Sequence, residues 1–221
     1  MYVMTIDQRG SRERTDGVPE VLDILDRVES RLGFERTIGD EVQGVLDSAE
    51  QVTLAVRLLA AQAGWHIGIG IGSVDTPLPR STAEGRGEAF YAARRAVEAA
   101  KGAPAHLVVD PTTGHGGLAE SALRLMVWTF ENIRPQPRRY IDYRLDQPES
   151  TQNDIAVHFD VSQQAVSHVL SPGGVELIEG ACALSTFHLG QMGEGQGGES
   201  RDGHSQSDDV KDDSQAGDHV V

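Results

Sequence analysis

The sequence predicts an α+β protein with a sheet-containing first half, a helical second half and an acidic tail. In the first 110 residues, short apolar stretches typical of strands alternate with amphipathic segments of helical period. Further on, residues 118–189 show helical patterns only, and residues 190–221 are almost free of apolar side chains. We therefore expect an α/β domain over 1–112, a helical domain over 118–189, and a disordered tail over 190–221.

Charge and cysteine content exclude several classes of protein. The 221 residues carry a formal net charge of -15, and 190–221 holds eight acidic and two basic side chains, or -6 of that total. A uniformly basic nucleic-acid coat is excluded, whereas a local basic patch is not. The single cysteine, Cys182, excludes an internal disulfide framework. No apolar run is long enough to cross a membrane, so we expect a cytoplasmic protein without a membrane partner.

The elements of the first half follow one another at short intervals. In chain order they are a strand over 2–7, a helix over 18–32, a hairpin over 34–46, a helix over 49–63, a strand over 65–74, a helix over 87–101 and a strand over 106–109. Pro19 falls in the first turn of its helix, where a missing N–H costs nothing. The hairpin turns at Gly39-Asp40. This order predicts a split βαβ, ferredoxin-like sheet with its helices on one face.

The strand over 65–74 has one unusual face. Its isoleucines and glycines alternate in the order Ile67, Gly68, Ile69, Gly70, Ile71, Gly72. One face therefore packs through isoleucine, and the other presents bare backbone. Either a helix packs tightly on that bare face or a ligand approaches it, and the sequence leaves both explanations open.

The second half begins with an amphipathic helix over 118–133, which Pro135 and Pro137 are expected to end. The segment 134–144 then carries four arginines and one acid, the most basic window of the chain. A last helix is predicted over 175–189, and it contains Cys182 as a small buried side chain.

Between these helices lies the pattern of a helix-turn-helix module. Thr151 and Asp154 form a capping box that opens a short helix, and Ala156 is small where two helices must cross closely. Asp160 tolerates the left-handed geometry of the turn, and Ser162 caps a second helix. The pattern resembles the DNA-binding modules of many bacterial regulators, the MarR-like and sigma-like ones included.

The second of these helices is the expected DNA-contacting element. The candidate DNA-binding residues are Ser162, Gln163, Gln164, Ser167 and His168 for the groove, and Arg138, Arg139 and Arg144 for phosphates. The alternative is a helical pair used for protein contacts, because the contacting helix has no Lys or Arg and residues 118–189 carry a net charge of -4. That acidity predicts weak, strongly salt-dependent binding that requires a homodimer.

Two carboxylates stand at strand ends in the first half. Asp7 ends the first strand, and Asp40 lies in the turn of the hairpin. In a split βαβ sheet these strands are neighbours, so the two carboxylates can converge and hold Mg2+ together with a substrate phosphate. The alternative is that both residues only cap or form turns.

Several short motifs carry a resemblance to known families. They are Thr5-Ile6-Asp7, the run GDEVQG at 39–44, IGIGIG at 67–72 and GEAFYAAR at 87–94. Their order resembles that of class III nucleotidyl cyclases and, more distantly, diguanylate cyclases. They look closest to the SatD family of small bacterial proteins, over about half of the chain.

The cyclase resemblance implies a set of site residues. It implies that Asp7 and Asp40 bind Mg2+ or Mn2+, that Arg36 contacts a nucleotide base, and that Arg95 stabilises the transition state. Tyr91 stands where those enzymes have an asparagine, and a phenol does not replace the paired donor and acceptor of an amide. Nucleotide binding is therefore favoured over catalysis.

These observations favour a DNA-binding transcriptional regulator with a cyclase-like, nucleotide-sensing first half. A metal-dependent nucleotidyl cyclase or nucleotidyltransferase is the first alternative, and a non-catalytic interaction scaffold is the second. Whether the chain is an enzyme stays open at this point, because the two aspartates favour catalysis and Tyr91 opposes it.

Overall fold

A computed structural model describes residues 1–195, and its fold is α+β, as predicted. The strands are β1 (Tyr2–Gln8), β2 (Leu32–Arg36), β3 (Glu41–Leu46), β4 (Trp65–Ile71) and β5 (Leu107–Asp110). The helices are α1 (Val18–Leu25), α2 (Ala49–Gln62), α3 (Glu88–Ala100), α4 (His115–Glu131), α5 (Pro135–Asp146), α6 (Gln152–His158), α7 (Gln163–Leu170) and α8 (Gly174–Gly195). No helix within 1–195 is both long and apolar enough to cross a membrane.

The five strands form one mixed sheet in the order β2-β3-β1-β4-β5. The central strand β1 pairs antiparallel with β3 on one side and with β4 on the other, whereas β4 and β5 are parallel. The register places Asp7 between Glu41 of β3 and His66 of β4. One end of the sheet therefore brings together polar side chains from three adjacent strands.

The two faces of the sheet are covered differently. Met4 and Ile6 of β1 lie in the large apolar cluster that α1, α2, α4 and α8 cover, whereas Val3 packs with α3 on the other face. The prediction that the helices share one face is wrong, because α3 packs directly on the glycines of β4. A Cβ added to Gly70 would lie 2.1 Å from the carbonyl oxygen of Ala89 in α3. Close helix packing therefore explains the bare strand face.

The apolar core is continuous between the first and second halves of the chain. Leu123 and Phe130 of α4 and Ile178 of α8 belong to the same buried cluster as Met4. The segment 112–118, where the sequence places a domain boundary, therefore does not separate two cores.

Several element boundaries differ from those expected. The helix over 18–32 ends at Leu25, and Leu32 instead pairs with Val45 to begin β2. Pro135 occupies the first turn of a new helix, α5, which the sequence did not predict. Helix α8 continues to Gly195, so residues 190–195 are helical where a disordered tail was expected.

The extension of α8 has a packing reason. Leu189 is fully buried, and the Tyr2 hydroxyl donates a hydrogen bond of 2.8 Å to its carbonyl oxygen. Gly193 also lies against Tyr2. The remainder of the predicted disordered tail, 196–221, lies outside the described residues.

Candidate functional site

Asp7 and Asp40 meet at the end of the sheet. Asp7 is near the end of β1. Asp40 follows Gly39, which lies in the turn between β2 and β3 and has a φ of +60°. The two carboxyl groups are close enough to influence each other's pKa, and the Ser11 hydroxyl lies near Asp40. The residues that the sequence placed at neighbouring strand ends therefore lie side by side.

The two carboxyl groups differ in proton affinity. Partial burial raises the pKa of Asp7, and the charge of Asp40 raises it further, although Lys101 opposes both. Burial acts in the same direction on Asp40, yet the nearby Ser11 hydroxyl, its own backbone N–H and Asp7 lower its pKa overall. The pair therefore shifts in opposite directions, with Asp7 the weaker acid and Asp40 the stronger one.

Lys101 supplies the positive charge of this site. It directly follows α3, and its Nζ lies 3.1 Å from Oδ2 of Asp7 and 2.8 Å from Oε1 of Glu98. Its pKa is raised mainly by the hydrogen bond to Glu98 and then by Asp7, against a smaller effect of burial. Sequence reasoning missed Lys101, because only the packing of α3 along β4 brings its end to Asp7.

His66 and His106 lie beside the carboxylate pair. Their ring centroids are 5.0 Å apart in an edge-to-face arrangement. Burial lowers the pKa of His66, and His106 lowers it further, while Asp7 acts in the opposite direction. The Nδ1 atoms of both rings are buried without a hydrogen-bond partner among residues 1–195. Sequence reasoning gave these histidines no common role, since the parallel pairing of β4 with β5 brings them together.

The residues of this cluster do not form a protein-built metal centre. The Lys101 ammonium lies 3.1 Å from Oδ2 of Asp7 and supplies a positive charge to the pair. Within the described part of the chain, no group of three or more His, Cys, Asp and Glu side chains is placed to hold a metal ion. Asp7 and Asp40 supply two carboxylates, so Mg2+ or Mn2+ held there would take its remaining ligands from a substrate phosphate and water.

The two arginines of the expected nucleotide site lie apart. Arg36 belongs to the same turn as Asp40, where it pairs with Asp16 at 2.6 Å and donates to the carbonyl oxygen of Gly39 at 2.9 Å. Arg95 pairs instead with Glu88 at 2.9 Å and Asp110 at 2.8 Å. Asp110 is in register with the last part of β4, whereas Asp7 is in register with its beginning. The structure therefore does not bring Arg95 to the carboxylate pair.

The second candidate site is built by α5, α6 and α7. The capping box at the start of α6 is present: the Thr151 backbone N–H donates to Asp154 at 2.8 Å, and the Asp154 N–H donates to Thr151 Oγ1 at 3.2 Å. Asp160 has a φ of +52°, the left-handed geometry expected of the turn. Ala156 is buried with Val166 of α7 in a small core of its own, so the two short helices pack closely.

The candidate groove-contacting residues differ in how exposed they are and in the hydrogen bonds that they already make. Gln163, Gln164 and His168 are exposed on α7. Ser162 uses its oxygen to accept the Ala165 N–H, which fits its role as the helix cap. Ser167 is half-buried, and its hydroxyl lies 3.3 Å from that of Ser171.

The candidate phosphate-contacting arginines are mostly used for packing. Arg138 is 7% exposed and donates to the carbonyl oxygens of Ile133 at 2.9 Å and Ala61 at 3.4 Å, so it has no access to a phosphate. Arg144 is half-buried and donates to the carbonyl oxygen of Ser150. Arg139 remains exposed, with its guanidinium carbon 5.1 Å from the ring centre of Phe159.

No protein-family model, curated protein or solved structure matches the chain.

Proposed function

We propose that this protein is a DNA-binding regulator whose α6–α7 pair contacts the major groove. The observation that carries this proposal is the exposed row of Gln163, Gln164 and His168 on a helix that a tight turn holds against α5 and α6. An α-helix with its side chains is about 10–12 Å across, which fits a major groove about 12 Å wide. Paired glutamine contacts to adenine are a common means of recognising bases there.

The few positive charges near α6 and α7 determine how strongly we expect DNA binding to depend on salt. Neither α6 nor α7 carries a Lys or Arg, and Arg139, beside the turn that precedes α7, is the exposed member of the three predicted phosphate contacts. One phosphate contact in each protomer of a dimer gives a slope of log K against log salt of about -2, which is shallow for a DNA-binding protein. We therefore expect a weaker salt dependence than the acidity of the sequence predicts. Sequence-dependent contacts then provide a large share of the affinity.

The test is selection from a random duplex library, followed by fluorescence anisotropy on the enriched sequence at two salt concentrations. Gln163→Ala/Gln164→Ala is expected to weaken binding by roughly tenfold or more, since each paired base contact is worth about 1–3 kcal/mol. Gln62→Ala, an exposed glutamine on α2, is the matched control and leaves binding unchanged. Failure to enrich any sequence, or equal affinity of the double variant, refutes the proposal.

The carboxylate pair supports a second candidate function, nucleotide binding at the end of the sheet. The antiparallel order β2-β3-β1-β4 is that of a split βαβ unit, which supports the cyclase-like interpretation of the first half. Lys101 and Arg36 are cations near Asp40, and a phosphate and a base would exchange with their present partners Asp7, Glu98 and Asp16.

Thermal unfolding with the four ribonucleoside triphosphates, with and without Mg2+ or Mn2+, tests this second candidate. A bound nucleotide raises the melting temperature by mass action, and Lys101→Met is expected to abolish the increase. Lys211→Met, the chain's other lysine, is the matched control. If no nucleotide raises the melting temperature of the native protein, nucleotide binding is refuted; if one does, product analysis separates an enzyme from a sensor.

A further inference from the structure

Helices α4 and α8 share an exposed pattern that the proposed function does not use. Each has a leucine, a small residue three positions later, a second leucine, an aromatic residue and an amide residue, with spacings of three, four, three and four. Along α4 and the residue that follows it they are Leu118, Ser121, Leu125, Trp128 and Asn132, and on α8 they are Leu177, Gly180, Leu184, Phe187 and Gln191. This is the spacing of the seam along which helices pair in bundles.

The two rows form one surface. Trp128 and Leu177 line the same cavity of about 630 Å³ at one end. At the other end, the His115 ring at the start of α4 lies 6.4 Å from that of Phe187. The two helices are therefore antiparallel and adjacent, with both rows on their outer side. We refer to the six large apolar side chains of these rows as the α4–α8 face.

The α4–α8 face concentrates the exposed apolar surface of the described residues. It contains six of the nine large apolar side chains that are exposed there, each with 53–67% of its surface accessible. At about 100 Å² for each side chain, the face presents roughly 600 Å², at the upper end of what a monomer exposes and close to one side of a typical interface. Ile38, Tyr91 and Val157 are the other three, and they lie on separate elements.

We propose that the α4–α8 face binds the same face of a second copy, which produces a four-helix bundle at a two-fold symmetric dimer interface. A two-fold axis requires a self-complementary surface, and two antiparallel helices with the same seam provide one. Ser121 and Gly180 sit at matching positions of the two rows, where small side chains allow the facing helices to approach. The row positions carry no charged side chain, so two copies meet without repulsion at the seam.

Other occupants fit this surface less well. Residues 196–221 contain only four apolar residues, Val210, Ala216, Val220 and Val221, too few to cover six large side chains. An anionic membrane surface is disfavoured because α8 has no Lys or Arg and α4 has only Arg124, whereas helices that lie on such membranes are rich in both. A second copy supplies a surface of the same size and composition. This inference does not depend on DNA binding.

Sedimentation equilibrium of the full chain tests the proposal. The wild type is expected at twice the chain mass of 23.8 kDa, and Leu125→Glu/Leu184→Glu at the chain mass with an unchanged circular dichroism spectrum. Ile38→Glu, an equally drastic change at a residue that is 77% exposed in the β2–β3 turn, is the matched control and stays dimeric. A wild type that is monomeric at about 100 μM, or a double variant that remains dimeric, overturns the proposal.

A second variant decides the matter if the double variant fails to fold. A Cβ added to Gly180 meets no atom within 4 Å, and replacing a mid-helix glycine favours the helix, so Gly180→Gln preserves the monomer. In the bundle its side chain enters the seam between the copies. We expect the dimer dissociation constant to rise at least about tenfold from this overpacking. An unchanged dissociation constant refutes the proposed interface.

Discussion

Replacement of Arg57 by alanine gives the sharpest test of how the two halves of the chain are joined. Arg57 lies on α2 with its side chain 8% exposed, and its two terminal nitrogens bind Asp142 at 2.6 Å and Asp146 at 2.5 Å on α5. Removing one partner of a buried ion pair leaves the other charge uncompensated, which costs about 3–5 kcal/mol. Burial raises the pKa of Asp142, and Arg57 is the main opposing influence.

The pH dependence of this loss follows from the raised pKa of Asp142. A carboxyl whose folded pKa exceeds its unfolded value adds stability below the unfolded pKa, and this is lost as pH rises through the folded one. Without Arg57 the folded pKa rises further, so the destabilisation by Arg57→Ala is smaller at about pH 5 than at neutral pH.

Urea unfolding at both pH values measures this effect, with Arg27→Ala as the matched control. Arg27 pairs with the same Asp146, but its side chain is 47% exposed, so its loss costs less than about 1 kcal/mol. A loss below about 1 kcal/mol for Arg57→Ala at neutral pH, or the same loss at both pH values, refutes the reasoning.

The remaining predictions concern packing, capping and thiol reactivity. Gly70→Ala is expected to destabilise the fold in urea by about 3 kcal/mol, since its Cβ would lie 2.1 Å and 2.2 Å from backbone atoms of Ala89 and Ala93. A loss near zero would show that α3 moves freely on the sheet. Thr151→Ala is expected to cost about 1 kcal/mol by removing the cap of α6, and an unchanged urea midpoint would contradict it. Burial raises the pKa of the Cys182 thiol, so Ellman's reagent should react more slowly with native than with urea-unfolded protein; equal rates argue against burial.

Patterns with a local physical cause were the ones that sequence reasoning predicted well. Strand β3 begins and ends at the predicted residues, because its alternation and the Gly39-Asp40 turn are both local signals. The cap at Thr151 and the left-handed Asp160 were predicted for the same reason. The convergence of Asp7 with Asp40 required only the strand order, which short connections largely determine.

Features that depend on distant contacts were missed. Pro135 was expected to end a helix, but proline also fits the first turn of a new one, and only the packing of α5 against the core distinguishes the two. Arg138 was expected at the surface because arginine is rarely buried, yet it donates to carbonyl groups near the ends of α2 and α4. Lys101 and His106 gain their neighbours only through the packing of α3 and β5 on β4.

Charged side chains of α5 explain how the acidic helical segment, residues 118–189, is held on the first half of the chain. Arg138 binds the carbonyl group of Ala61 near the end of α2, while Asp142 and Asp146 bind Arg57 from the same helix. Helix α5 is therefore attached to α2 through both positively and negatively charged side chains. The small core of α6 and α7 packs on α5 and is positioned by it. Because charge in this segment is used for attachment, the net charge of residues 118–189 is a poor guide to DNA binding, and the exposed amides of α7 are the better one.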